Sequence, residues 1–257
     1  MIFTDQLNRQ ITLEHPPQRI ISLVPSQTEL LYTLGLDKQV VGITKFCVHP
    51  LTWYREKTRV GGTKNVHADR IAALSPDLII ANKEENLEAD IRPLMQEYPV
   101  WVSNIQTLED AYQMITGIGA LTNRSTIATD LVAQIKAGFA ALPMRATPLR
   151  TAYFIWRDPW MVAGGDTFIH EMLRACGLQN AFGEQLRYPS ITAEQLANSG
   201  CELILLSSEP YPFKEKHIAE LQAIVPEARI ELVDGEMFSW YGSRLREATT
   251  YFSTLHF

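Results

Sequence analysis

Short apolar runs alternate with amphipathic stretches along most of the chain, the pattern of buried parallel strands separated by helices. RIISLVP (19–25) is closed by proline and predicts a buried strand. In SQTELLYTLG, Ser26 is placed to cap a helix, Glu29 to complete a capping box and Gly35 to stop it. VVGIT (40–44), DLIIAN (77–82) and VWVS (100–103) predict three more strands. NLEADIRPLMQEY (86–98) predicts a helix made irregular by Pro93.

From Leu108 to Leu142 the rhythm changes and no strand is predicted. LEDAYQMITGIGALTN (108–123) reads as one helix and RSTIATDLVAQIKAGFAAL (124–142) as a longer one. The longer one carries Ile127, Leu131, Val132, Ile135, Phe139 and Leu142 on one face. At about 1.5 Å per residue it spans about 28 Å. It stops at Pro143, and PMRATP (143–148) predicts a loop.

Strands and helices then resume. RTAYFIW, ELILLSS and RIELVD predict strands. TFIHEMLRACG, capped by Thr167 and stopped by Gly177, TAEQLANSG and HIAELQAI predict helices. The expected fold class is α/β: two Rossmann-like lobes with mainly parallel sheets, joined by one long backbone helix. The expected boundaries are 1–121, 122–143 and 144–257. Two such lobes leave an interlobe cleft, a preferred place for a ligand.

Composition narrows the function. A formal net charge of −6 is the opposite of the basic footprint that phosphate backbones demand, so nucleic acid is not an expected partner. No apolar run approaches the roughly 18 residues of a membrane span. The N-terminus lacks the basic start and apolar stretch of a secretory leader. A periplasmic or lipid-anchored location is expected if a leader has been removed, and a cytoplasmic one if Met1 is the native start. Cys47, Cys176 and Cys201 are odd in number and far apart, which predicts free thiols, with Cys176 and Cys201 as small core residues. A monomer is expected.

The stretch TKFCVHP (44–50) carries the most suggestive chemistry. Cys47 and His49 are both ligands for soft metals, and at spacing two they share a side of an extended segment. A closed metal site needs further ligands, which only folding could bring from His67, His170, Glu84 or Glu85. The other readings of the segment are a structural pocket wall and a ligand contact without metal. A catalytic Cys–His pair is disfavoured, because neighbours in an extended segment rarely reach one another and no orienting third group follows.

Two further clusters stand out. WRDPWMVAGGDTFIHEML offers the flat faces of Trp156 and Trp160 and the donor fork of Arg157. SSEPYPFKEKH and FSWYGSRLREA place Tyr211, Phe213, Trp240 and Tyr241 in predicted loops, where they either cover something or face solvent.

Taken together, RIISLVPSQTELLYTLG, VVGIT-FC-HP, RVGGTKN---DRIAALSPDLIIA, W-DPW-VAGGDTFIHEMLRACGLQN, TAEQL and VDGEMF run in order from Arg19 to Phe238. In this set the chain resembles the substrate-binding proteins of ABC importers for vitamin B12, iron-siderophores and haem, with the vitamin B12 branch nearest. The resemblance implies a non-enzymatic receptor that holds a cobalamin or another metal chelate as cargo and docks on an ABC permease. It implies ligand contacts at Phe46, Trp156, Arg157, Trp160, Trp240 and Arg244, and permease docking through Asp69 and Glu194. Asp69 is one methylene shorter than the glutamate usual there. Two aromatic positions of vitamin B12 receptors align with Thr63 and Asn82, beside Lys64, Lys83, Glu84 and Glu85. That departure favours a smaller, more polar or charged ligand. The rival reading is a cytoplasmic ligand sensor or a metal-dependent enzyme that reuses the fold.

Overall fold

The computed structural model describes residues 1–143 and 146–255. The loop expected over 143–148 lies in part outside the described residues, at Met144 and Arg145. The described chain divides into two compact units. The first holds Met1–Ile105, Glu109–Gln134 and Trp240–Arg244, and the second Gln106–Leu108, Ile135–Ser239 as far as described, and the residues that follow 244.

In chain order the elements up to the long helix are β1 (Ile2–Thr4), β2 (Gln10–Thr12), β3 (Ile20–Ser22), α1 (Pro25–Thr33), β4 (Val40–Ile43), α2 (Leu51–Glu56), β5 (Thr58–Arg59), β6 (Gly61–Gly62), β7 (Asn65–Val66), α3 (Ala68–Ala73), β8 (Leu78–Asn82), α4 (Glu88–Glu97), β9 (Val100–Ser103), α5 (Leu108–Leu121) and α6 (Ser125–Ala140). The first unit is built on a parallel sheet of order β5-β4-β3-β8-β9. Its core includes Ile21, Leu23, Ile71, Ile79, Ile91 and Val102. The β1–β2 hairpin is tethered beside β9, where Gln6 N–H donates to the Val102 carbonyl at 3.3 Å.

The elements after α6 are β10 (Leu149–Trp156), β11 (Met161–Val162), α7 (Phe168–Ala175), β12 (Leu178–Asn180), α8 (Ala193–Ala197), β13 (Leu203–Ser207), α9 (Glu215–Gln222), β14 (Arg229–Val233), α10 (Gly235–Ser239) and α11 (Leu245–Thr254). The sheet of the second unit runs β11-β10-β13-β14, with β12 also paired to β10. Only β11 is antiparallel. Phe154, Phe182, Ile191, Ile204 and Leu206 fill its core, and Cys201 packs with them. The three cysteines are free thiols, and Cys176 is half-buried at the C-cap of α7.

One regularity governs both sheets. Strands β3, β8, β9 and β13 are buried at every residue, as parallel strands covered on both faces must be. Each ends on a small polar residue: Ser22, Asn82, Ser103 and Ser207. Their side chains are hydrogen-bonded inside the protein, so the polar transition at each strand end is made without orphaned groups.

Three local expectations change. Ser26 is not the cap of α1: the helix starts at Pro25 and Val24 is its N-cap, with no side-chain cap bond. Proline suits the first helical position because it has no N–H to satisfy there, and Glu29 is turned to another partner. Gly35 does stop α1, at φ +74°. Its N–H bonds to Tyr32 O at 2.9 Å and that of Leu36 to Leu31 O at 3.1 Å, a Schellman closure. The long helix is four turns rather than five, and its buried stripe begins at Ala128, while Ile127 is 42% exposed. The reason is a close approach to α5, where a Cβ on Gly119 would overlap that of Ala128. The short elements α2, α10, β1, β2, β5–β7, β11 and β12 carry no periodic signal of their own.

Gly164 and Gly165 are a backbone crossing rather than a free turn. Their N–H groups donate to Arg187 O at 2.8 Å and Gln185 O at 2.7 Å, and a Cβ at Gly165 would overlap the Gly183 carbonyl oxygen. Gly165→Ala is expected to lower stability by about 3 kcal/mol or more, because backbone must move. Gly35→Ala, with nothing within 4 Å of the added Cβ, should lose only about 1 kcal/mol for its left-handed backbone. Urea unfolding of the two variants measures the contrast.

Candidate functional site

The loops that follow the strands of the first unit gather most of the candidate residues. Three residues past β4, Phe46 projects a ring that is 51% exposed. Gly62 lies under that ring: a Cβ there would stand 3.2 Å from it. The Lys45 ammonium sits 5.0 Å from the ring centre, a cation–π distance. Phe46 is thus an aromatic face braced from beneath and open above.

Cys47 points the other way. It is fully buried, with its sulfur 3.0 Å from Thr28 Oγ1 and 3.2 Å from Thr44 Oγ1. Burial raises the thiol pKa, more than the threonine hydroxyls lower it. Among the described residues no group of three His, Cys, Asp or Glu could hold a metal ion. The structure therefore places Cys47 as a hydroxyl-bonded wall residue. The His49 ring lies edge-on to Trp240, 5.6 Å between centres, so the two members of the sequence pair have different neighbours.

The segment 240–244 closes this region. Trp240 and Tyr241 are buried, so these aromatics cover rather than project. The Arg244 guanidinium lies 4.9 Å from the Trp240 ring centre and grips Glu29 with two bonds, Nε to Oε2 at 2.9 Å and a second to Oε1 at 2.5 Å. The Tyr241 hydroxyl donates to Glu85 at 2.7 Å. Burial and the Glu85 carboxylate hold the Tyr241 pKa well above the ordinary phenol value. Of the residues that meet here, Tyr241 and Glu85 stand out in the sequence, while Glu29 reads only as a capping-box member.

Asn82 is turned inward, not toward solvent. It is 2% exposed and donates to Ser103 Oγ at 2.9 Å. Its Oδ1 accepts the backbone N–H groups of Glu84 at 2.8 Å and Glu85 at 3.0 Å. Asn86 accepts the Asn82 N–H at 2.8 Å and donates to Thr63 O at 2.8 Å. These two asparagines pin the loop after β8 to the β6–β7 hairpin. An aromatic at position 82 could not make these bonds.

The second unit contributes a separate aromatic group. Trp156, the last residue of β10, is 40% exposed and meets the Tyr211 ring edge-on at 5.6 Å. Trp160 is half-buried and packs against the core instead, stacked on Phe213 at 6.2 Å and edge-on to Phe154 at 5.6 Å. Arg157 lies over Trp160 at 5.2 Å. Its Nε donates to Glu220 at 2.8 Å and its other arm pairs with Asp158. At α7, Thr167 caps the His170 N–H at 3.2 Å, and the glycine N–H groups before it are already bonded. This helix start is therefore occupied by the protein's own groups.

Asp69 and Glu194 occupy equivalent local positions. Each is exposed and stands second in a short helix, Asp69 in α3 and Glu194 in α8. Glu194 follows the Thr192 cap, part of a complete capping box with Gln195. Neither carboxylate has a hydrogen bond or ion pair among the described residues. Both sit where the helix dipole favours an acid.

With this geometry in place, comparisons with known proteins can be read. A family model described as "Periplasmic binding protein" matches residues 20–225. An uncharacterised ABC transporter substrate-binding lipoprotein of Bacillus subtilis (strain 168) is 27% identical over 260 residues, 95% of this chain and 81% of the relative. A vitamin B12-binding protein of Vibrio campbellii is 27% identical over 197 residues, 75% of this chain and 71% of the relative. The solved vitamin B12-binding protein of Vibrio cholerae superposes with a TM-score of 0.75 at 24% identity, covering 93% of this chain and 96% of that one. The molybdate-binding protein of Haemophilus influenzae gives 0.81 at 17% identity, covering 98% and 90%. Both likenesses concern the fold.

Two outcomes follow from the site. At pH 9, near the 9.0 of an ordinary thiol, a disulfide reagent should leave Cys47 unreacted in the native protein and label it in urea. Arg244→Met should lose about 3–5 kcal/mol, because it leaves Glu29 buried without its cation. The double variant Arg244→Met/Glu29→Met should recover most of that loss in a denaturant titration.

Proposed function

The chain belongs to the periplasmic binding protein family, and from that premise we propose that it captures a metal chelate or corrinoid-like ligand and delivers it to the permease of an ABC importer. The family binds substrates rather than converting them. The observation that carries the ligand reading is one open aromatic face per unit at the end of a parallel strand: Phe46 beyond β4 and Trp156 at the end of β10. Such loops are where α/β sheets present their ligand contacts, and a flat ring suits a macrocycle or an aromatic chelator.

The other candidates divide by environment. Trp160 packs on Phe154 and Phe213, and Trp240 lies against His49 and Arg244. Arg157 and Arg244 are held by carboxylates and act through position rather than as free anion receptors. Asp69 and Glu194 serve as permease contacts. Their exposure, lack of internal partners among the described residues and matching second position in two short helices support this role, and arginines on a permease are the complementary chemistry. Among the described residues no helix is long and apolar enough to cross a membrane, so the permease supplies that path. Of the ligand classes named by similar proteins, the replacement of an aromatic by the inward-facing Asn82 favours a compact chelate over a corrin ring.

Native mass spectrometry and metal analysis of protein purified from its own source test the capture. The expected result is a co-purifying chelate, lost on Phe46→Ala/Trp156→Ala with folding unchanged. In proteoliposomes with the cognate permease, Asp69→Lys and Glu194→Lys should each cut ligand-stimulated ATP hydrolysis at least fivefold without changing ligand affinity. Full stimulation by both variants would remove the docking assignment.

A further inference from the structure

The first unit carries exposed lysines on the loops around Phe46. The chain has eight lysines, and three of them are exposed here, Lys45 beside the ring and Lys64 and Lys83 on adjoining loops. Hydrogen bonds link the three loops. The Lys45 N–H donates to Gly61 O at 2.8 Å, which joins the loop after β4 to the β6–β7 hairpin, where Lys64 lies. Asn86 binds Thr63 O at 2.8 Å, which joins the same hairpin to the loop bearing Lys83. Among the described residues none of the three ammonium groups has a carboxylate partner. Lys45 makes only its contact with the Phe46 ring.

The nearby acids have partners other than these lysines. Glu85 receives the Tyr241 hydroxyl at 2.7 Å, and Glu29 is clasped by Arg244. Glu84 is half-buried and also partnered. The candidate arginines are paired as well, Arg157 with Glu220 and Asp158. In a chain of net charge −6, the cations on these loops that no carboxylate holds are lysines.

We propose that the Phe46 face selects an anionic chelate, whose flat or apolar part lies on the ring and whose peripheral carboxylate or phosphate groups reach Lys45, Lys64 and Lys83. This rests on the receptor reading and names the charge class of its ligand. Lysine suits the task because its flexible point charge adapts to anions at differing radii, whereas a guanidinium fork demands a matched pair of oxygens.

The test is calorimetric titration of the whole chain with four probes: haemin and ferric citrate, which are anionic, cyanocobalamin, which carries no net charge, and ferrioxamine B, which is cationic. At least one anionic probe should bind tightest. Its affinity should fall roughly tenfold in Lys45→Gln/Lys64→Gln/Lys83→Gln, as expected for three exposed pairs, and should weaken as sodium chloride is raised. The substitutions are on the surface, so thermal unfolding should be unchanged. Haemin dimethyl ester, with its carboxylates capped, should lose the lysine dependence. Tightest binding of cyanocobalamin or ferrioxamine B overturns the inference and leaves the receptor reading intact. Failure of both anionic probes, or anionic binding indifferent to the triple substitution, also overturns it. Absence of any co-purifying ligand by native mass spectrometry is the separate result that removes the receptor reading.

Discussion

A parallel strand buried on both faces has no side on which to place a polar side chain. In β3, β8, β9 and β13 every residue is buried, and the last position of each is a small polar residue, Ser22, Asn82, Ser103 or Ser207. The constraint decides where chemistry can occur. Polar networks start at the carboxyl ends of the strands, and the loops beyond them carry the open rings and free charges. Thr44, just past β4, continues the same row by bonding to Cys47. The site is thus a consequence of how a parallel sheet must hide its peptide groups.

The region is also organised by how its charges are matched. Arg244 and Glu29 have side chains only 8% and 15% exposed, and taking two ions out of water is favourable only with bidentate geometry. They have that geometry, plus a tryptophan face under the guanidinium. Such a pair contributes more to orientation than to net stability. It fixes Trp240, which in turn sets the face that His49 packs against. The second unit repeats the idea nearer the surface, with Arg157 between Glu220 and the Trp160 ring.

Much of the fold was legible in the chain because strands buried on both faces are simple apolar runs, and because Gly35, Thr167 and Gly177 act locally. Short elements were not legible: α2 and β5–β7 hold two to six residues each and have no room to express a period. The capping box at Ser26 failed because Pro25 was free to begin the helix two residues earlier. The candidate site was legible in its aromatic residues and opaque in their roles. Whether a tryptophan is open, like Trp156, or packed half-buried on the core, like Trp160, depends on Phe154 and Phe213 packing beside it. The partner of Arg244 lies 215 residues away at Glu29, beyond the reach of any local pattern.

The return of Trp240–Arg244 to the first unit means that this unit is not a continuous stretch of polypeptide. During synthesis its sheet can assemble once β9 has emerged, but the carboxylates of Glu29 and Glu85 must wait for partners made more than 150 residues later. Completion of the unit, and with it the final form of the Phe46 neighbourhood, is a late event tied to finishing nearly the whole chain. A fragment cut within or just after the long helix would keep the sheet and lose the finished site.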